Sequence, residues 1–418
     1  MTYEIELKLR FEPQQADLLC QALDQLAGSS QQFTLNNSYY DTPDARLSRA
    51  ACALRIRQKG DSFEQTLKTR GDSQGGLTRR REWNWPLASA QLDEQLLGSD
   101  EVQACWPQDV AVADLIPLFA TNFERRRWLW QQGDNRVELV MDRGAVLAAE
   151  QQQPLCELEL ELLQGDAACL WPLAQSLCQR LPLWLSDISK AERGFALVGM
   201  GRAWQPKADA LLADACDSAE LLTALQHNFE HLKRALEQSL WLEQPAVAQA
   251  AVPETTQEAA VNDATDSLAL AALKLLPLSQ RLQIQLASDG AVSLTKLGQA
   301  LVSELLVIAL TVRSAASSAA VSDTMAKNGA EKLLQWGELL FNLHTQPAES
   351  AAPGLTAAAP TLDPALDQLV QQLAALTLAQ NPLDSSAVTD ADTEADTDRL
   401  PWSSIQQWYV GIQAANTP

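Results

Sequence analysis

The chain opens on strict alternation: in Tyr3-Glu-Ile-Glu-Leu-Lys-Leu-Arg-Phe11 every second position is charged. A strand points successive side chains to opposite faces. Glu4, Glu6, Lys8 and Arg10 therefore share one face, and Tyr3, Ile5, Leu7, Leu9 and Phe11 the other. The same period of two returns around Phe33–Asp41, Ala53–Lys59, Phe63–Arg70, Arg79–Pro86, Arg125–Gln131, Arg136–Arg143 and Cys156–Leu163. Gly60-Asp61, Gly71 to Gly76 and Gly133-Asp134-Asn135 predict hairpin turns between neighbours. Pro13 to Leu26 changes to a helical period, with Leu18, Leu19, Ala22, Leu23 and Leu26 on one stripe. Asp166–Leu181 predicts a second amphipathic helix, followed by Ser186–Lys190. Residues 87–122 show little periodicity and predict a loop-rich insertion.

Beyond residue 208 the pattern is helical almost throughout, rich in Ala and Leu, with helices predicted at 209–243, 266–288, 292–316, 322–345, 362–380 and 401–415. Pro- and Ala-rich stretches at 245–262 and 346–361 predict linkers, and Thr389–Asp398 a solvated acidic loop. The expected organisation is an α+β domain over 1–200 and an all-α helical bundle over 208–418, with the boundary between Gly199 and Pro206.

Composition narrows the function. A net charge of −22 argues against nucleic acid as a partner, which needs a positive footprint. The charge is uneven, because 20 of the 31 Lys and Arg lie in residues 1–200, within the strand-like runs. Seven cysteines without a CxxC pair suggest buried thiols in a reducing cytoplasm rather than a disulfide framework or zinc site. Charge from residue 4 onward speaks against a signal peptide, and no apolar run is long enough to span a membrane.

One alternating strand alone reads most simply as half-buried with a solvated face. Eight strands with matching parity offer a second solution, a barrel whose charges face inward and whose apolar side packs against helices. The charges sort by strand, which favours that solution. Glu4, Glu6, Glu157, Glu159 and Glu161 form an acidic wall, and Arg55, Arg57, Lys68, Arg80, Arg125 and Arg127 a basic one. Like charges fixed in a narrow space call for counter-ions. Arginine forks match phosphate oxygens, and carboxylates match hard cations such as Mg2+ or Mn2+.

Glu4-x-Glu6-x-Lys8 resembles the ExExK motif of the CYTH superfamily, the triphosphate tunnel metalloenzymes. Further blocks agree in order: Tyr39-Tyr40-Asp41, Leu54-Arg-Ile-Arg57, Thr66-Leu-Lys68, Arg80-x-Glu82, the Arg125–Arg127 strand, Val137 to Asp142, Glu157-x-Glu159-x-Glu161 and Ser189-Lys190. The resemblance covers residues 1–200, and within the superfamily it is strongest to bacterial inorganic triphosphatases whose tunnel domain precedes a helical CHAD domain. It implies an eight-stranded antiparallel tunnel barrel hydrolysing triphosphate to pyrophosphate and phosphate, with other phosphate polymers and nucleoside triphosphates as further candidate substrates. Glu4, Glu6, Glu157, Glu159 and Glu161 would hold Mg2+ or Mn2+. Lys8, Arg55, Arg57, Lys68, Arg80, Arg125, Arg127 and Lys190 would clamp phosphates. Lys8, Glu82, Asp142 and Lys190 are the candidate catalytic residues, and either Tyr39 or Tyr40 would face the tunnel. The second domain departs from the CHAD pattern, with His227, His231 and His344 as its only histidines and an acidic balance, and reads as a divergent CHAD-like bundle. Two readings compete: a class IV adenylate cyclase acting on ATP, and a non-catalytic polyphosphate-binding module.

Overall fold

The computed structural model describes residues 2–201, 218–241, 265–273, 289–315 and 323–345, with a few isolated positions besides. The chain divides into two compact units, with the change after Gln205.

Ten strands build the first unit: β1 Thr2–Arg10, β2 Gln31–Asp41, β3 Cys52–Lys59, β4 Ser62–Thr69, β5 Asp72–Gln74, β6 Leu77–Leu87, β7 Ile116–Gln132, β8 Asn135–Ala148, β9 Gln151–Gln164 and β10 Trp184–Leu185. Eight close into an antiparallel ring in the order β1-β9-β8-β7-β2-β3-β4-β6, and β6 pairs back onto β1. The short β5 and β10 attach outside that ring, to β6 and β1. Closure removes the sheet edges that an open sheet would expose. Gly60 at φ 56° and Gly133 at φ 58° turn the β3–β4 and β7–β8 hairpins in the left-handed region that glycine tolerates best.

The alternation resolves as the inverted barrel. Leu7 and Leu9 of β1 and Phe11 just after it are fully buried against the outer layer. Helix α1 (Ala16–Ala27) covers the outside of β7, where the indole of Trp128 donates to Asp24 Oδ1 at 2.8 Å. Helix α2 (Arg46–Arg49) follows β2 and is capped by the buried Asp41, whose carboxylate accepts from the backbone N–H groups of Leu47 and Ser48 at 2.8 Å each. The outer faces of β3, β4 and β6 present Leu54, Leu67 and Trp83, and the segment that follows β6 closes over them with Leu97, Val102, Trp106 and Val110. Gln65 clamps that segment by its amide, donating to Asp93 O at 3.1 Å and accepting from Asp93 N at 2.9 Å. Within it, helix α3 (Asp100–Gln103) is capped by Ser99.

The unpatterned stretch at 87–122 is therefore only partly loop. β6 runs to Leu87 and β7 starts at Ile116. The helix expected over Asp166–Leu181 is a 3-10 turn at Ala167–Cys169 leading into α4, Leu170–Cys178, which packs on β9. Lys190 opens helix α5 (Lys190–Leu197), with Ser189 as its N-cap.

Helix α5 closes one end of the barrel. Phe195 packs with Tyr39 of β2, Phe119 of β7 and Val146 and Ala148 of β8, all on the lumen side. At the opposite end, Arg127, Leu129 and Leu163 stand exposed on the rim.

The second unit is described as helices over Ser218–Trp241, Asp289–Ala315 and Asp323–Thr345, with helical residues also at 265–273. The last two helices pack on each other and on the first. The helix expected from 292 is already helical at 289–291, and the ends expected at 209 and 288 lie outside the described residues. The linkers, the acidic loop and nearly all of 362–380 and 401–415 lie outside the described residues. Among the described residues no helix is long and apolar enough to cross a membrane.

Candidate active site

The ring order brings the acidic strands side by side. β9 lies between β1 and β8, and its register sets Glu161 opposite Glu6, Glu159 opposite Lys8 and Glu157 opposite Arg10. Across the other edge of β9, Glu161 faces Glu138 and Glu157 faces Asp142. The basic strands β3, β4 and β6 follow one another, and β6 closes onto β1 with Arg80 directly across from Glu4. Opposite charges therefore meet in the lumen at the β1–β6 seam and again at β7–β8.

Those meetings are ion pairs. Lys68 Nζ lies 2.9 Å from Glu4 Oε1 and 3.1 Å from Glu82 Oε2. Arg80 bonds Glu4 Oε2 at 2.6 Å and also bonds Glu6. Arg125 forms a two-pronged pair with Asp142, both contacts at 2.7 Å, and reaches Glu159 Oε2 at 3.3 Å. Lys190 projects from the start of α5 into the carboxylates of β8 and β9. Its Nζ bonds Glu157 and lies 2.8 Å from Asp142 Oδ2 and 3.0 Å from Glu159 Oε1. Lys8 sits among Glu159 at 3.4 Å, Glu157 at 3.8 Å and Glu6 at 3.9 Å. Such pairs persist in a low-dielectric interior because each charge offsets the other's desolvation.

The cations do not satisfy every acid. Burial pushes the Glu6 carboxyl up, against the pull of Arg80, with Glu4 adding to the rise. Burial likewise raises Glu161 to about 8, reinforced by Glu159 and Glu4. Burial opposes ionisation of Glu4 too, but Lys68 and Arg80 outweigh it and hold that carboxyl low. Glu159 and Asp142 show the same balance, with burial overcome by Lys190, Lys8 and Arg125 for the first and by Arg125 and Lys190 for the second. Glu82 is held low by Lys68 against burial and the repulsion of Glu4. On the basic side, burial and the nearby Arg55 and Arg125 lower Arg57 to about 9.

Two carboxylate triads have the compactness of a metal site. Glu4, Glu6 and Glu161 form one and Asp142, Glu157 and Glu159 the other, each offering one oxygen apiece within 4.8 Å of the others. Glu6 Oε2 and Glu157 Oε2 are buried without a hydrogen-bond partner. A buried acceptor with no donor is costly. A hard divalent cation ligated by carboxylate oxygens is the group that such a donor set fits.

Most of the residues singled out by sequence come together in this lumen: Glu4, Glu6, Lys8, Arg55, Arg57, Lys68, Arg80, Glu82, Arg125, Asp142, Glu157, Glu159, Glu161 and Lys190. Arg127 is set apart. Its side chain is 43% exposed at the rim, 3.2 Å from Glu138 Oε1 and 3.1 Å from Gln31 Oε1. Of the two tyrosines, Tyr39 is the one inside. It is buried beside Arg55, Lys190 and Arg57, whose charges override burial and draw its phenol pKa down. Tyr40, the next residue of the strand, points outward onto the apolar cluster around Trp83.

Apart from the tyrosine pair, no neutral residue of the lumen was among the site residues expected from sequence. Asn37 is buried, accepts from Arg57 Nε at 2.8 Å and donates to Thr121 O at 2.7 Å, so it orients that guanidinium. Thr66 and Asn84 hydrogen-bond across β4 and β6 at 2.8 Å. All three share the lumen parity of their charged neighbours, which was the available signal. In the second unit, His231 Nε2 is 2.8 Å from Ser267 Oγ, and neither His227 nor His231 belongs to a metal-competent group among the described residues.

Residues 2–195, a little under half of the chain, match the CYTH domain. The inorganic triphosphatase of Haemophilus influenzae is 34% identical over 199 residues, which cover 47% of this chain and 55% of that protein. The chain thus spans about half the length of the curated relative it matches. Similar solved structures include the Hippeastrum adenylyl cyclase candidate HpAC1, described as having a dominant triphosphatase activity (20% identity, 46% of this chain and 95% of that one, TM-score 0.36). Another is the inorganic triphosphatase NE1496 (22% identity, 41% of this chain and 80% of that one, TM-score 0.18).

Proposed function

We propose that the barrel is a divalent-metal-dependent inorganic triphosphatase that hydrolyses triphosphate to pyrophosphate and phosphate. The observation that carries this reading is one lumen holding two compact carboxylate triads against a facing set of buried arginines and lysines. A module that only bound anions would gain nothing from carboxylates that repel its ligand.

Glu4, Glu6 and Glu161 would hold one Mg2+ or Mn2+, and Asp142, Glu157 and Glu159 a second. Metal bound there supplies Lewis-acid polarisation of phosphoryl oxygens and lowers the pKa of bound water. The protein's own cations do the rest. Lys68, Arg80 and Arg125 exchange carboxylate partners for phosphate oxygens and, with Arg55 and Arg57, orient the chain of phosphates and neutralise charge as the phosphoanhydride breaks. Lys190 and Lys8 hold Glu159 ionised against its burial and stand close to the reacting phosphate. Glu82 and Asp142, both held ionised at neutral pH, are weak bases and suit the orientation of water rather than full proton abstraction. Arg127 and Glu138 pair with each other at the rim. The helical unit is read as a divergent CHAD-like bundle, and its acidic balance speaks against strong polyphosphate binding there.

The test is a substrate panel on the full chain with Mg2+ or Mn2+: inorganic triphosphate, pyrophosphate, longer polyphosphate and ATP, with products identified. Triphosphate converted to equal amounts of phosphate and pyrophosphate is the expected result. Cyclic AMP from ATP as the main product would overturn it, as would absence of metal-dependent turnover.

A further inference from the structure

Arg57 differs from its neighbours in the lumen by what holds it. Lys68 at 2.9 Å, Arg80 at 2.6 Å, Arg125 at 2.7 Å and Lys190 at 2.8 Å each touch a carboxylate oxygen. Arg57 makes no ion pair among the described residues. A neutral group holds it instead, with Nε donating to Asn37 Oδ1 at 2.8 Å. Both terminal nitrogens of this partly exposed guanidinium are left without a partner among the described residues. Arg55, next on the same face of β3, adds like charge beside it.

Asn37 is 1% exposed and stands between two strands, paired with Arg57 of β3 on one side and Thr121 of β7 on the other. Its Nδ2 donates to Thr121 O at 2.7 Å. The amide therefore has one orientation. Turned over, it would set Nδ2 against the Nε–H of Arg57 and its oxygen against a carbonyl oxygen. An aspartate has the same shape, but it would face Thr121 O with a carboxylate and pair with Arg57 as the other acids pair with their cations. The carboxamide fixes the guanidinium and leaves its charge uncancelled. A long side chain fixed beforehand loses less rotamer freedom when its ligand arrives.

We propose, resting on the triphosphatase reading, that Asn37 is a positioning residue that holds Arg57 ready without neutralising it. Lys68, Arg80, Arg125 and Lys190 must leave a carboxylate before they take a phosphate oxygen. Arg57 keeps its bond to Asn37 and takes one directly, so it anchors triphosphate even before metal is bound.

Wild type, Asn37→Ala, Asn37→Asp, Arg57→Lys and the double variant Asn37→Ala with Arg57→Lys, all in the full chain, test this. Calorimetry measures triphosphate binding with a chelator and no metal, and steady-state kinetics with Mg2+ separate KM from kcat. Asn37→Ala should weaken metal-free binding and raise KM about tenfold, with kcat within about threefold, since one hydrogen bond to a charged group is lost. Asn37→Asp should weaken both further, by about a hundredfold, because the new carboxylate claims the guanidinium and repels the substrate. In the Arg57→Lys background, which lacks the guanidinium, adding Asn37→Ala should change either constant by less than about twofold. A side chain that only supported the fold would give losses that add, with Asn37→Asp the milder of the two. Should Asn37→Ala not fold, Asn37→Asp against wild type decides.

Wild-type affinity in Asn37→Ala or Asn37→Asp, a loss confined to kcat, or effects that multiply in the double variant would overturn the inference. So would a wild type that binds no triphosphate without metal. A wild type that binds triphosphate but does not turn it over would count against the triphosphatase reading alone, and the calorimetric series would then decide Asn37 by itself.

Discussion

Lys190 shows how much one side chain carries. A single ammonium at the head of α5 is shared by Asp142, Glu157 and Glu159. Removing it leaves three buried carboxylates facing one another, so Lys190→Met should destabilise the metal-free protein by about 3 kcal/mol, read by chemical denaturation. Added Mg2+ should recover part of that loss, whereas a purely structural lysine would give a loss that Mg2+ does not touch. Glu161 carries a pH signature. Its folded pKa, about 8, lies above the unfolded value of 4.5. The stability it contributes is therefore complete below about pH 4.5 and lost as pH rises through about 8. Thermal midpoints of metal-free Glu161→Gln should fall less than wild type between pH 5 and pH 8, and parallel curves would refute the assignment of that acid. Residue roles of this kind were legible in sequence where charge and parity coincide, as in Glu4-x-Glu6-x-Lys8. Asn37 was not, and Tyr39 only as one of two alternatives with Tyr40, because a neutral side chain does not announce its partner.

At the scale of elements, the strands were readable wherever lumen and exterior differ in polarity. That contrast vanishes near α5. The lumen face of β7 there is Phe119, Thr121 and Phe123, and that of β8 is Gly144, Val146 and Ala148. Both faces are then apolar or neutral, which hides the start of β7 inside an apparently loop-rich stretch. The insertion was illegible for a different reason. Its apolar residues, Leu97, Val102, Trp106 and Val110, follow the surface of β3, β4 and β6 rather than any period of their own. Trp106 is the largest of these anchors, and its indole donates to Val110 O at 2.9 Å. Trp106→Ala should cost about 3 kcal/mol in urea unfolding, with kcat falling less than tenfold because the cluster lies outside the lumen. A loss below about 0.5 kcal/mol would mean that the insertion is a loose cover.

For the whole molecule, a chain of net charge −22 proposed to take a polyanion must meet it with local cations, and in that reading these are the arginines and lysines of the lumen, whose facing carboxylates the metal would offset. Association then depends on a focused field with screened surroundings, so KM for triphosphate should rise as ionic strength goes from 0.05 to 0.5 M. A salt-independent KM would contradict a charged lumen as the binding site. The organisation into a strand-rich and a helix-rich half was visible in sequence from the change of period near residue 208. What the helical half does was not visible, since its amphipathic faces state that they pack and not what they serve. The central claim concerns Glu4 and Glu6, the first two charges of the chain. Phosphate release from inorganic triphosphate should be compared for wild type and Glu4→Gln, with and without Mg2+, at matched thermal midpoints. The account predicts Mg2+-dependent release in wild type and at least a hundredfold less in Glu4→Gln, and undiminished release in that variant would contradict it.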